Sequence, residues 1–189
     1  MTDRTLVVYS SLTGNTKAVA EKIFDIIEGD KEIVSINNIK NVDTDNFQKI
    51  IIGFWVDKGT ADKRTREFIK KLSGKKVAYF GTLGADPASD HGRTVRERVS
   101  ALCNENNTLF GEFLCRGKID PKLVEKMGKF PLKLIHPLTP ERLQRIEDAK
   151  PHPNEKDFQE AQNYFMKILK LNWKNKKQRF FSAFSIYIF

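Results

Sequence analysis

Short, β-branched apolar runs alternate along this chain with segments of helical spacing, and that rhythm constrains the fold more than any other feature. Thr5 to Ser10, Glu32 to Ile36, Gln48 to Gly53, Lys76 to Gly81 and Thr108 to Cys115 predict five strands. Several of these runs are continuous rather than alternating, as expected of strands buried on both faces of a parallel sheet. Between them, Val19, Ile23, Ile26 and Ile27, then Phe68, Ile69 and Leu72, then Val95, Val99, Leu102 and Cys103 fall on single helical faces. Gly29 and Gly74 are expected to close the first two helices, and Asp43 to Asn46 form a polar connection. A late helix carries Phe158, Ala161, Phe165, Ile168 and Leu169. The expectation is an α/β fold with helices on both faces of a parallel sheet.

In such sheets ligands bind beyond the carboxyl ends of the strands, which directs attention to the loops after the first, third and fourth runs. The stretch 116–153 breaks the rhythm with six prolines and two short helical patches near 120–128 and 140–148. It is expected to be a packed insertion before the last helix. Residues 1–170 are thus read as one domain, and 171–189 as a basic, aromatic tail.

The formal net charge is +9, and the tail supplies four of those charges through Lys174, Lys176, Lys177 and Arg179 with no acid. Its aromatics, Phe180, Phe181, Phe184, Tyr187 and Phe189, leave two readings open: contact with an anionic membrane surface or acidic partner, and an unconstrained terminus. No helix-turn-helix spacing, RNP-like motif or zinc finger accompanies the basic balance, so nucleic acid is not an expected partner. No apolar run approaches the ~20 residues of a membrane span, and Met1 to Arg4 lead straight into a strand without a secretory apolar region. Cys103 and Cys115 lack metal-ligand spacing and fit reduced thiols in a cytoplasmic protein, with no metal site expected.

The first loop reads Ser11-Leu12-Thr13-Gly14-Asn15-Thr16. It places three hydroxyls and a glycine between a buried strand and the first turn of a helix. Helix-start amides have no intrahelical partners and lie at the positive end of the helix dipole, so such a loop can hold a phosphate without a lysine. The Walker motif, the dinucleotide GxGxxG and the GxSxG elbow are all absent. A polar N-cap turn of no function is the competing reading.

Ser11, Thr13, Gly14 and Thr16 match the phosphate loop [T/S]-x-T-G-x-T position for position, and here the chain resembles the flavodoxin superfamily. The resemblance spans about residues 5–115 and the late helix. It implies a three-layer sandwich with a five-stranded parallel sheet in order 2-1-3-4-5, and an FMN cofactor. In that frame the first loop, Ser11, Leu12, Thr13, Gly14, Asn15 and Thr16, holds the phosphate. Trp55, Val56, Lys58 and Gly59 follow the third strand, with Trp55 placed to stack on the flavin and Phe54 left for the core. Thr82, Leu83, Gly84 and Ala85 meet the other side of the ring, largely through backbone groups. His91 is open between a proton donor to a substrate and a helix-start residue. The longer strings at 53–62, 79–92 and 113–121 resemble the small flavodoxin-like proteins that accompany bacterial bilirubin reductase.

Three functions compete. The first is an FMN electron carrier delivering electrons to a partner reductase, with bilirubin or another tetrapyrrole as the final acceptor; it needs no catalytic side chain, and none is evident. The second is a stand-alone FMN-dependent NAD(P)H:quinone or tetrapyrrole oxidoreductase, with His91 and the insertion shaping a substrate pocket. The third is an interaction module without cofactor, against which the intact first loop and Trp55 argue.

Overall fold

A computed structural model describes the backbone of residues 4–127 and 139–185, and side chains for 4–125 and 139–170. Residues 128–138 of the expected insertion and 186–189 of the expected tail lie outside the described residues.

The elements run β1 (Thr5–Tyr9), α1 (Asn15–Asp25), β2 (Lys31–Ser35), β3 (Lys49–Asp57), β4 (Thr60–Ala61), α2 (Lys63–Lys71), β5 (Lys76–Leu83), α3 (Asp90–Asn104), β6 (Thr108–Arg116), α4 (Pro121–Met127), α5 (Pro140–Ala149) and α6 (Glu155–Ser185). Two 3₁₀ turns, Ile36–Asn41 and Thr44–Asn46, connect β2 to β3. Five strands pair in parallel in the order β2-β1-β3-β5-β6, which is the expected 2-1-3-4-5 once β4 is set aside. β4 is the addition: two residues folded back antiparallel on the end of β3. The third strand consequently runs to Asp57 rather than ending at Gly53, because Trp55 still pairs with Thr82 and Asp57 with Thr60. Gly29, expected to close α1, lies four residues beyond its last residue. The helix end is satisfied instead by Lys31, whose Nζ donates to the Phe24 and Asp25 carbonyls.

Strand parity divides the core in two. Leu6, Val8, Ile50, Ile52, Phe54 and Tyr79 face α2 and α3, meeting Phe68, Ile69, Val95 and Val99. Val7, Ile51, Ala78 and Phe80 face α1 and α6, meeting Val19, Ile23, Ala161 and Phe165. Phe80 and Phe165 contact edge to face at 6.2 Å. Gly53 lies under Phe80, where a Cβ would come within 2.2 Å of the ring Cζ, so only glycine fits that point of β3.

β6 forms one edge of the sheet. Its outward-facing Glu112 amide donates to the Tyr164 hydroxyl of α6 at 2.7 Å. The Glu112 carboxylate accepts from the Tyr79 and Ser100 hydroxyls at 2.7 Å each, tying β5, β6 and α3 together. Burial, foremost, pushes the Tyr79 phenol far above its ordinary range, so it stays a donor. At the start of α6, Asn154 Oδ1 accepts from the Lys156 and Asp157 amides while Asp157 accepts from the Asn154 amide, a reciprocal cap. The chain after β6 stays close to the sheet: the Gly117 amide donates to the Leu83 carbonyl and the Lys118 amide to the His152 carbonyl. No helix among the described residues is long and apolar enough to cross a membrane.

Candidate functional site

The loops after β1, β3 and β5 meet at the carboxyl end of the sheet. In the first, Gly14 takes φ +96°, a backbone conformation that an L side chain resists, and directs the chain into α1. Ser11 Oγ accepts from the Gly14 amide at 3.1 Å and the Lys17 amide at 3.2 Å, which folds the loop back on itself. The Asn15 and Thr16 amides find no acceptor among the described residues, and neither does the exposed Thr13 hydroxyl. A Cβ built on Gly14 would meet nothing within 4 Å, so the loop borders open space at that residue. Thr16 and Thr82 share a hydrogen bond between their hydroxyls at 2.8 Å. Only one of the two hydrogens is used there, so the pair keeps one O–H to donate.

Trp55 stands next to Thr82 across the β3–β5 ladder, so sheet register brings Trp55, Thr82 and Thr16 together. Phe54 points the other way and is fully buried, as expected. Val56 is half-buried against the α2/α3 core. Lys58 and Gly59 form a two-residue turn with φ +50° and +75°, the backbone signature of a tight hairpin. Arg98 of α3 donates through Nη1 to the carbonyls of both turn residues, at 3.3 and 3.4 Å. His91 approaches the same turn: a Cβ on Gly59 would lie 3.7 Å from its Cε1.

Beyond β5 the expectation narrows. The Leu83 and Ala85 side chains are buried in the α2/α3 core, and the Leu83 carbonyl already accepts from Gly117. Ile119 lies against Gly84, where a Cβ would come within 2.5 Å of its Cγ1. The same segment touches the first loop, since Asn15 Nδ2 donates to the Lys118 carbonyl at 2.8 Å. Sequence reading missed Arg98 and residues 117–119, because each acts through a contact many positions away and no local motif marks it.

A cavity of about 550 Å³ opens along the outer side of β6, between the starts of α3 and α6. It contains none of the expected site residues. Its basic side chains already have partners: Arg116 pairs with Asp86 at 2.5 Å, Arg96 Nη1 donates to the Pro87 carbonyl, and the His152 ring Nδ1 lies 2.6 Å from Asp157 Oδ2. The Ala88 amide, and then Arg116, hold the Asp86 carboxyl below its usual range. Burial pushes the Cys103 thiol up to about 12 and the Cys115 thiol higher still, so both remain protonated at neutral pH.

The donor set at the first loop is neutral, unengaged and gathered at the start of an eleven-residue helix. That chemistry suits a phosphate ester held by backbone and hydroxyl groups, and it therefore fits FMN at that end.

Comparison with known proteins agrees. The chain is 35% identical over 162 residues to the flavodoxin-like domain-containing protein BilS of Clostridioides difficile (strain CD3), covering 84% of this chain and 92% of that one. A second BilS, from Clostridium symbiosum (strain WAL-14163), is 29% identical over 136 residues, covering 64% of this chain and 71% of the other. Among solved structures, a flavodoxin from the domain Archaea superposes with a TM-score of 0.55 at 20% identity, covering 88% of this chain and 96% of the other, a likeness of fold. The model of the flavodoxin domain matches residues 6–166, so the chain belongs to the flavodoxin family, whose cofactor is FMN.

Proposed function

We propose that this protein binds FMN at the carboxyl end of its sheet and works as an electron carrier in the cytoplasm, delivering electrons to a separate reductase of bilirubin or a related tetrapyrrole. The observation that carries the reading is the unengaged donor set of the first loop in a chain of this family. The Thr13 hydroxyl, the Asn15 and Thr16 amides and the spare O–H of the Thr16–Thr82 pair would hold the phosphate. Gly14 gives the loop its path, and Ser11 fixes that path from inside. Trp55 would cover one side of the ring, while Gly59, Lys58 and the backbone of Thr82, Gly84 and Ala85 border it. Bound flavin supplies the redox chemistry; the protein binds, orients and shields it. The likeness to BilS, read with the resemblance of residues 53–62, 79–92 and 113–121 to the proteins that accompany bilirubin reductase, supports a partner reductase. Residues 1–170 form the flavin-binding unit in this reading, and removal of 171–189 leaves flavin binding intact.

Reconstitution tests it. The purified chain should turn yellow with FMN, pass electrons to bilirubin only when bilirubin reductase is added, and be reduced slowly by NAD(P)H alone. A colourless protein after FMN addition overturns the cofactor assignment. Fast reduction by NAD(P)H without a partner favours the stand-alone oxidoreductase, a reading supported by the position of His91 beside the Gly59 turn.

A further inference from the structure

The connections between the strands carry different charge at the two ends of the sheet. At the amino ends, the connections 25–32, 43–49, 70–76 and 104–108 carry six basic and seven acidic residues, and Arg4–Asp30 and Lys75–Asp45 are paired there. At the carboxyl ends, the loops and helix starts 10–17, 36–41, 57–67, 84–93 and 116–125 carry ten basic and seven acidic residues. Most of those acids are engaged. Asp62 is buried as the cap of α2, Asp86 pairs with Arg116, Asp90 with Arg93, and Glu67 with Lys63. Lys58, Arg64, Lys118 and Lys122 are exposed and have no carboxylate partner among the described residues. They stand on different sides of the candidate site. Lys58 is at the hairpin turn, Arg64 reaches Asn37 in the turn after β2, Lys118 follows β6 beside Asn15, and Lys122 lies in the first turn of α4. Leu12, at the tip of the first loop, is 64% exposed.

An exposed apolar tip among unneutralised cations has the anatomy of a transient protein interface: an apolar centre that sheds water, and a charged rim that steers encounter. We infer that this end of the molecule docks a protein partner through an acidic surface on that partner, with Leu12 at the centre of the contact. The inference rests on the electron-carrier reading and names the chemistry of the partner. Unpaired surface charges act over about a Debye length, so they raise the association rate at low salt and lose that effect as salt rises.

The experiment uses two haem proteins as probes, acidic cytochrome b5 and basic cytochrome c, with the full-length FMN-loaded protein reduced beforehand by dithionite. In each event one electron leaves the reduced protein and converts ferric haem to ferrous haem. The second-order rate with cytochrome b5 should fall on the order of tenfold from low salt to about 0.5 M, and the rate with cytochrome c should rise. Opposite slopes cannot arise from a shift in the flavin's potential, which would move both rates in the same direction. The variant Arg64→Glu/Lys118→Glu/Lys122→Glu should lose several-fold in the cytochrome b5 rate at low salt and gain with cytochrome c. A second measurement needs no cofactor: amide shifts on titrating the labelled protein with cytochrome b5 should cluster at residues 11–16, 58–64 and 117–122. A faster, salt-weakened reaction with cytochrome c, or shifts scattered over the amino ends of the strands, overturns the inference. A chain that shows the clustered shifts yet takes up no FMN would support the docking surface and sink the electron-carrier reading.

Discussion

The loop after β1 and the hairpin after β3 lie side by side at one end of the sheet, and they treat their polar groups in opposite ways. In the hairpin, Arg98 holds the Lys58 and Gly59 carbonyls, and Asp62 accepts from the Arg64 and Thr65 amides and from the Thr65 hydroxyl. The Trp55 carbonyl accepts from the Asp62 amide, and Arg66 donates to the Ala61 carbonyl. The first loop is braced by one side-chain acceptor, Ser11 Oγ, and its Thr13 hydroxyl and Asn15 and Thr16 amides have no partner among the described residues. The hairpin is therefore a built wall, and the loop is a set of donors without partners among the described residues. Changes in the first should register as lost stability, and changes in the second as lost ligand affinity.

Asp62→Ala is the hardest test of the wall. It removes a helix cap and leaves the buried Thr65 hydroxyl without its acceptor, so urea unfolding of the cofactor-free protein should show about 2–3 kcal/mol of destabilisation. Unchanged stability would mean the hairpin is held by other contacts. Thr13→Val tests the other side of the contrast. FMN affinity should fall by about 1–3 kcal/mol while unfolding stability moves by less than ~0.5, since the hydroxyl has no partner among the described residues. Riboflavin, which lacks the phosphate, should be indifferent; equal weakening of both ligands would place the phosphate elsewhere.

Arg98→Ala removes two long hydrogen bonds from a surface guanidinium, and about 1 kcal/mol of stability should go with it. Limited proteolysis should then cut first near Lys58, and a cut elsewhere would refute the clamp. The smallest effect concerns Asp86, whose folded-state pKa lies below its reference value of 3.8. A depressed carboxyl pKa stabilises the fold above the unfolded value and loses that contribution as pH falls through the folded one. Asp86→Asn should cost about 0.5 kcal/mol at neutral pH, within the range of exposed pairs. That gap should close progressively once the pH drops below about 4; a gap that widens in acid would contradict the assignment.

The sheet order and the two-sided core were legible because they follow from period. A continuous run such as Ile50-Ile51-Ile52 must be covered on both faces, and the segments bearing Val19 and Ile23, or Val95 and Val99, have the spacing to cover it. The first loop was legible because its motif is local: four matching residues between a strand and a helix dictate both its path and its donors. The hairpin was half legible. Lys58-Gly59 marks a turn, but β3 outlasts its apolar run, and strand pairing rather than hydrophobicity sets its end at Asp57. Arg98 over the turn and Ile119 over Gly84 were not legible at all. Both depend on where two distant helices or segments end up, which no short window contains.

The hydrogen bond from the Glu112 amide to the Tyr164 hydroxyl has a consequence for solubility. An edge strand normally offers a row of free amides and carbonyls to the edge of another copy, and a strand as apolar as Leu109 to Cys115 would be a strong template for such growth. Here α6 supplies a side-chain oxygen to one outward amide, and the chain leaving β6 folds back toward His152 near the other end of the strand. A second molecule cannot add a strand in register without first displacing Tyr164. Tyr164→Phe keeps the ring against Phe113 and Phe165 but gives up the hydroxyl. It should therefore leave the fold in place while making the protein more prone to assemble edge to edge at high concentration, an outcome visible by light scattering.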